Sequence, residues 1–557
     1  MPLNQPFAKM PPAIPPAPPK RPRWVIVLGL VLLVLAGFLV AKNFADPVRA
    51  LDAARKFNPT DIKLADGYTI EPVIENLTAP SAALFDGKDL IIAESGSTHA
   101  TAARILRIKP DASVDVIVAS GLHGAITGLA IKDGLLYVSS PGKVSRIDSN
   151  GRLRDIVTGL PSEGDYQNTN IAFGPDGRLY MGQGTVTNAG IVGVDNFALG
   201  WLDLHPNLHE VPCQDLELLG QNYRTLDPTR PGNDAPILTG AYESFGVPST
   251  PDEIVKGNPK CGGAILRFNS DGSDIQLVAW GLRNPVGLKF DKSGQLWATN
   301  QGPEERGSRH IGNAPDDFVR VTEGAWYGWP DYFDGLPVTA DRFIVPGEPQ
   351  AGFLWDSHPP LSNAFLSFAP KEAVSGFAFS AGGAFGLEGD AFVAMFGPAA
   401  SNSDNRAGFR IARVDVRARK VYDFASNTLP GPAYDNQRAG LDRPTDVLFG
   451  PDGSMYIVDR GETQMTARGP VAVPQTGAVW RIYPSNGQPM RASGPLIVQP
   501  PTPQIAGERP LDTGDMIGSY MVMAIMAAPS LVLVLGGLIV VGFAMLVAWQ
   551  ILRGLAH

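Results

Sequence analysis

The chain has 557 residues, with 62 Gly and 50 Pro, a formal charge of −9 and only two cysteines, Cys213 and Cys261. So many Gly and Pro suit a loop-rich β protein better than a helical one. The negative charge, with no basic run outside the N-terminus, argues against a nucleic-acid partner, and the lack of CxxC or CxxCH against zinc ribbons, iron–sulfur clusters and c-type haem.

Residues 1–23 are Pro-rich and end in Lys20, Arg21 and Arg23, which reads as a disordered cytoplasmic tail. Residues 24–41 form an uncharged apolar run long enough to cross a bilayer as a helix. A cleaved signal peptide is the rival reading. The run is long for a signal's apolar core, and no A-x-A site follows it closely, which favours an uncleaved anchor with a cytoplasmic N-terminus. Residues 42–65 are expected to form a short helical connector.

Residues 66–485 repeat one pattern: an alternating apolar strand, an Asp-Gly-type turn, a second strand, a gap, then a strand ending in Arg-Ile or a close variant. The copies begin near Pro80, Thr127, Asn170, Asn284, Ser375 and Asp446. Alternation with Asp-Gly turns signals antiparallel hairpins. Six copies at long, uneven spacing predict an all-β fold, a six-bladed β-propeller, with the site at the mouth of its central channel. A long insertion interrupts the third copy. Cys213 and Cys261 flank part of it and are either a disulfide or two free thiols. Residues 486–514 are a Pro-rich linker, and 515–552 read as a membrane-surface helix followed by a transmembrane helix, divided at Pro529. Residues 553–557 would return to the cytoplasm. Two spans place the propeller outside the cytoplasm, on the periplasmic or exterior side of a bacterial inner membrane.

Within the repeats, Trp280–Pro330 concentrates chemistry. Arg283 and Asn284 open one strand, Gln301, Gly302 and Pro303 end the next, and Asp316 and Asp317 follow. A cation, an amide, backbone carbonyls and carboxylates together suit an anionic cofactor with a hard metal ion. The bland readings are an Arg283–Asp316 ion pair and a solvated turn at Asp316–Asp317. His205 and His209 lie near Glu210 and Asp215 in the insertion, but Pro206 intervenes and no second carboxylate has metal-ligand spacing.

The segments GLRNPVGLKFDKSGQLWATNQGP, DDFVRVTEGAWYGWP, NIAFGPDGRLYMGQG and RPTDVLFGPDGSMYIVDRG resemble the soluble PQQ-dependent glucose and sorbosone dehydrogenases, across roughly residues 65–485. The resemblance implies pyrroloquinoline quinone (PQQ) over the channel mouth with Ca²⁺, and hydride transfer from a small sugar or related alcohol. It gives Arg283 the reacting quinone carbonyl and Asn284 a hold on the cofactor. The carbonyls of Gly302 and Pro303 would ligate calcium, Gln301 would position cofactor or substrate, Asp316 would lie near substrate, and Arg443 would pair with a PQQ carboxylate. Departures accompany it. The catalytic His is replaced by Tyr166, after Asp165; a tyrosine of ordinary pKa near 10 is a poor base. Thr185 stands for an acid, Thr445 for an arginine, and the lysine after the fifth blade's second strand has no counterpart. His123 is a candidate substitute base; the ordinary alternative for it, and for His310, is a solvated loop histidine.

Two functions follow. One is a membrane-anchored dehydrogenase passing electrons to membrane quinone or a separate cytochrome. The other is a non-catalytic propeller serving as a docking subunit of a larger membrane complex. A calcium-dependent lactonase is weaker, since no matching His–Asp set is found.

Overall fold

A computed structural model describes residues 55–500, apart from 96–102, 119–120, 123, 229–234, 399–406, 437–438, 467–468 and 492–493. The expected membrane segments at 24–41 and 515–552, and His123, lie outside the described residues. Among the described residues no helix is long and apolar enough to cross a membrane.

Six antiparallel sheets form the blades. Blade one comprises strands Pro80–Asp86, Asp89–Glu94, Arg104–Ile108 and Val114–Val118; blade two, Gly128–Lys132, Leu135–Ser140, Lys143–Ile147 and Leu153–Thr158. Blade three comprises Asn168–Phe173, Leu179–Gln183, Ala264–Phe268 and Gln276–Trp280, and blade four Asn284–Phe290, Leu296–Gln301, Asp317–Arg320 and Leu366–Ser367. Blade five comprises Val374–Phe379, Ala391–Met395, Arg410–Asp415 and Lys420–Asn427. Blade six takes Pro444–Phe449, Met455–Asp459 and Gly477–Pro484, and its fourth strand is Tyr68–Leu77, from the start of the chain. The six innermost strands pack successively and the last returns to the first. A sheet closed on itself by its own N-terminal strand leaves no open end to the ring.

Side-chain hydroxyls cross every blade boundary and donate to a backbone carbonyl next door. Ser81 Oγ reaches Ile126 O at 2.6 Å and Thr127 Oγ1 reaches Asn168 O at 2.8 Å. Thr169 Oγ1 bonds Pro285 O, and Thr299 Oγ1 reaches Ser375 O at 2.6 Å. Ser375 Oγ reaches Thr445 O at 2.7 Å, and Thr445 Oγ1 reaches Pro80 O at 3.4 Å. The inner strands approach closely because small residues allow it. A Cβ on Gly128 would lie 2.8 Å from Asn170 Cα, and one on Gly287 2.7 Å from Ser375 O. Glycine in a strand interior marks such an approach of another backbone. Between the blades, alternating apolar side chains such as Ile92, Val138, Met181, Ala298, Val393 and Ile457 are buried.

Two expected connectors are partly strands. In the described part of the expected helical connector, residues 55–65, Pro59–Asp61 makes a single 3-10 turn, and Ile62–Leu64 pairs with Ala425–Asn427 as a fifth strand of blade five. An edge strand's unpaired backbone groups draw in this short alternating segment. In the Pro-rich linker, Leu496–Ile497 pairs in parallel with Ile74–Glu75. The third-blade insertion carries two short hairpin-like pairs, Leu216–Leu219 with Pro251–Val255 and Asn222–Leu226 with Pro236–Gly240. Cys213 and Cys261 form a disulfide across its base, with Cα atoms 4.8 Å apart.

Candidate functional site

In each blade the tight hairpin turns sit on one face. The starts of the inner strands and the ends of the second strands meet on the other. This second face gathers the sequence-predicted residues. Arg283 and Asn284 lie where blade four's inner strand begins, Gln301, Gly302 and Pro303 where its second strand ends, Tyr166 before blade three, and Arg443 before blade six.

Arg283 is 2% exposed and held from every side. Its Nη1 donates to Gly302 O at 2.6 Å, its Nε to Asn188 O at 3.1 Å, and its Nη2 to Asn188 Oδ1 at 2.8 Å. Nη2 also donates to the Tyr166 hydroxyl, and the guanidinium carbon lies 4.4 Å from the centroid of the Tyr166 ring. Arg283 therefore pairs with the residue standing in the histidine's place, and not with Asp316. Burial raises the Tyr166 pKa, and the nearby Arg283 charge only partly opposes this. The phenol remains neutral at physiological pH and is no proton acceptor.

Asp165 serves a second arginine. Arg306 reaches Asp165 at 2.6 Å, Asp195 at 2.6 Å and Glu304 at 2.7 Å. Asn196 and Trp201 each donate to Asp165 Oδ1 at 3.2 Å. Burial works against the Arg306 charge, yet these carboxylates raise its pKa well above the ordinary value. Asp165 is thus an ion-pair anchor between blade three, the insertion and the loop after Pro303.

Asn284 donates from Nδ2 to Gln301 Oε1 at 2.7 Å, and Gln301 Nε2 donates to Val374 O at 2.8 Å. Asn284 Oδ1 is buried and has no hydrogen-bond partner. It overlooks Gly184, where a Cβ would lie 2.8 Å from that oxygen and 2.4 Å from Tyr166 Cβ. Asp316 is 3% exposed and accepts from Gly302 N at 2.8 Å and Val374 N at 3.1 Å, so it ties blade four to blade five. Burial pushes its pKa up to about 7, and the same holds for Asp317, which accepts from Ser367 Oγ at 3.0 Å.

At the start of blade six, Arg443 is fully buried. Its Nη1 donates to Pro398 O at 2.9 Å, and its guanidinium carbon lies 4.9 Å from the Phe396 ring centroid and 5.2 Å from that of Phe409. The carbonyl of Arg443 accepts from Arg460 N at 2.9 Å. Burial and the neighbouring Arg443 charge bring the Arg460 pKa down to about 10. Asp442, fully buried beside them, has neither carboxylate oxygen hydrogen-bonded. Burial pushes its pKa up to about 7.

Asn188, Arg306 and Arg460 were not singled out by sequence pattern. Arg306 lies in the charged loop PEERGSRH, and Arg460 follows the sixth blade's second strand; Asn188 carries no local signal. Thr185, in the place of the acid, bonds inward to Thr187 O at 2.7 Å. His310 lies 3.5 Å from Glu348. His209 Nδ1 lies 2.9 Å from Glu210 O, and Asp215 pairs with Lys256. Among the described residues, no three His, Cys, Asp or Glu side chains converge as metal ligands.

Residues 253–468 match the family model of glucose/sorbosone dehydrogenases. The propeller is glucose/sorbosone dehydrogenase-like. It is 27% identical over 177 residues to quinoprotein glucose dehydrogenase B of Acinetobacter calcoaceticus, a match spanning 32% of this chain and 28% of that protein's length. Among solved structures it is similar to the PQQ domain of pyranose dehydrogenase from Coprinopsis cinerea in its holo form, at 14% identity and TM-score 0.48, covering 77% of this chain and 98% of that one. It is also similar to the PQQ-bound aldose sugar dehydrogenase of Streptomyces coelicolor, at 16% identity and TM-score 0.42, covering 76% and 99%. The six blades of the dehydrogenase-like propeller rest on its own sheet pairing, not on these likenesses.

The residues of this propeller fit PQQ better than they fit calcium. Asn284 Oδ1 is a buried acceptor without a donor, and PQQ carries a pyrrole N–H. Arg443 and Arg460 are crowded cations, and PQQ carries carboxylates. By contrast, Gly302 O already accepts from Arg283, so a divalent ion there would share its oxygen with a guanidinium. Calcium takes six to eight oxygens, and among the described residues no three acidic or His side chains converge to supply them.

Proposed function

We propose that this chain is a membrane-anchored, extra-cytoplasmic quinoprotein of the sugar-dehydrogenase type, with PQQ at the mouth of the dehydrogenase-like propeller. The observation that carries the reading is the unpartnered, buried Oδ1 of Asn284 beside the fixed Arg283, with the Arg443–Arg460 pair on the same face at blade six. When bound, the quinone would accept hydride from a sugar or related alcohol. Arg283 would present a fixed positive charge, Asn284 an acceptor, and Arg443 with Arg460 the counter-charge for carboxylates. Electrons would go on to membrane quinone or a cytochrome, since the chain carries no haem-attachment motif. The disulfide suits an oxidising compartment, and the apolar runs at 24–41 and 515–552 supply the anchors.

The neutral Tyr166 supports a second reading, a non-catalytic propeller kept as a docking subunit of a membrane complex. One experiment separates the two. The full chain is titrated with PQQ in the presence and absence of Ca²⁺, and sugar-dependent dye reduction is followed. Micromolar binding with turnover supports the dehydrogenase. Binding without turnover indicates a retained cofactor cradle on a docking platform. No binding at micromolar PQQ rules out the quinoprotein reading.

A further inference from the structure

The two ends of the propeller chain leave it on one face, and that face holds the site. At the N-terminal end, Arg55 is buried at blade six. It donates to Thr476 O at 2.6 Å, to Gly440 O at 2.7 Å and to Asp459 Oδ2 at 2.6 Å. Thr476 precedes that blade's third strand, Gly440 precedes Arg443, and Asp459 ends the second strand, so all three lie at the site-face edge. Asn58 N then bonds Ala439 O at 2.7 Å, and Ile62–Leu64 runs away from that face along Ala425–Asn427.

The C-terminal end runs back to it. Tyr68–Leu77 pairs antiparallel with Gly477–Pro484 and climbs towards the site face, where Pro80 opens blade one. Leu496–Ile497 runs parallel to it, so it climbs as well. Val498 N bonds Glu75 O at 3.1 Å, and Gln499 O accepts from Arg104 at 2.9 Å. Arg104 opens blade one's third strand, again at the site face.

The chain beyond these points is short. Fully extended, residues 42–54 reach at most roughly 45 Å, and residues 501–514 at most roughly 50 Å. The apolar runs begin immediately beyond both. The insertion rising from the end of strand Leu179–Gln183 on this face also exposes large apolar side chains, with Leu204 69% and Leu226 62% accessible. Such side chains suit a lipid interface.

We infer that the site face of the propeller is turned towards the bilayer, so that the channel mouth looks onto the membrane surface. The inference rests on the anchoring in the proposed function and adds its direction. A mouth in this position delivers electrons to an acceptor in or on the membrane, and a water-soluble substrate reaches it from the side, between propeller and bilayer.

Energy transfer from single labels tests the orientation. The only two cysteines form the disulfide, so an introduced cysteine is the single free thiol. Glu163→Cys and Glu305→Cys place a donor dye on the site face; Ser149→Cys and Lys88→Cys place it on the turn face. All four positions are exposed. Each full-length variant is reconstituted into phosphatidylcholine vesicles carrying an acceptor-labelled lipid. Transfer at least two-fold more efficient from Glu163→Cys and Glu305→Cys is expected. Equal transfer, or stronger transfer from the turn face, in protein that floats with the vesicles overturns the orientation alone. Protein that does not float with the vesicles overturns the anchoring and the orientation with it.

Discussion

Replacing Asp442 with asparagine should make the protein more stable at pH 8. Asp442 is fully buried, and neither carboxylate oxygen has a hydrogen-bond partner, so Asp442→Asn removes an ionisable group without breaking a bond. Burial raises its pKa to about 7; Arg55 and Arg443 oppose this, and Asp459 and Glu462 add to it. An unfolded aspartate titrates near 3.9. The folded state therefore holds the proton more tightly. The carboxyl is tolerated below pH ~4, destabilises progressively as pH rises from about 4 to about 7, and levels off above that. The gap between about 7 and ~3.9, at about 1.4 kcal/mol per pH unit, sets an upper bound of about 4 kcal/mol at pH 8. We expect Asp442→Asn to gain about 2–4 kcal/mol there and almost nothing at pH 4. Urea denaturation of the full chain at both pH values measures this. A variant less stable than the parent at pH 8 would show that Asp442 is a working partner of Arg55, and the burial argument would fail.

Other expectations follow from the same contacts. Tyr166→His puts a group of pKa near 6.5 where the phenol stands, and sugar-dependent dye reduction with bound PQQ should rise about 10²–10⁴-fold; an unchanged rate would mean that the missing base is not the limit. Asn188→Ala removes the acceptor from Arg283 Nη2 and the amide that ties Glu304 O at 2.8 Å; it should cost about 1–3 kcal/mol in urea melts and weaken PQQ binding. Cys213→Ser opens a loop of sequence separation 48 and should cost about 2–4 kcal/mol, read as a lower midpoint that the parent shows only under reductant. Gly128→Ala forces a Cβ to within 2.8 Å of Asn170 Cα and should cost about 1–3 kcal/mol by overpacking the inner ring.

What was legible in the sequence follows what is local in the structure. The inner and second strands and their Asp-Gly turns carry strong alternation, because both faces of these strands are packed between blades. Outer strands such as Val114–Val118 and Leu153–Thr158 are largely exposed and lose that pattern, so they fell into the gaps of the repeat. The closing strand Tyr68–Leu77 has its partner some 400 residues downstream, which no local pattern encodes. At the site, Arg283, Asn284, Gln301 and Gly302 were legible because one hairpin brings them together. The Arg306 cluster was not, because Asp165, Asp195 and Glu304 come from three separate segments. The resemblance implies that Asp316 lies near substrate; the two backbone N–H groups it accepts from, of Gly302 and Val374, belong to different blades, and no local pattern encodes them.

The strand that closes the ring also sets the order of assembly. Tyr68–Leu77 is made before any complete blade, yet it pairs with Gly477–Pro484, which among the described strands only the short Leu496–Ile497 follows. Until then an apolar segment with open backbone groups on both sides must wait beside a growing chain, a hazard for mispairing. If the segment ahead of it is already held in a membrane, the waiting strand is tethered at a fixed place. An anchor there would act during synthesis as well as afterwards, keeping the first strand where the last blade will find it.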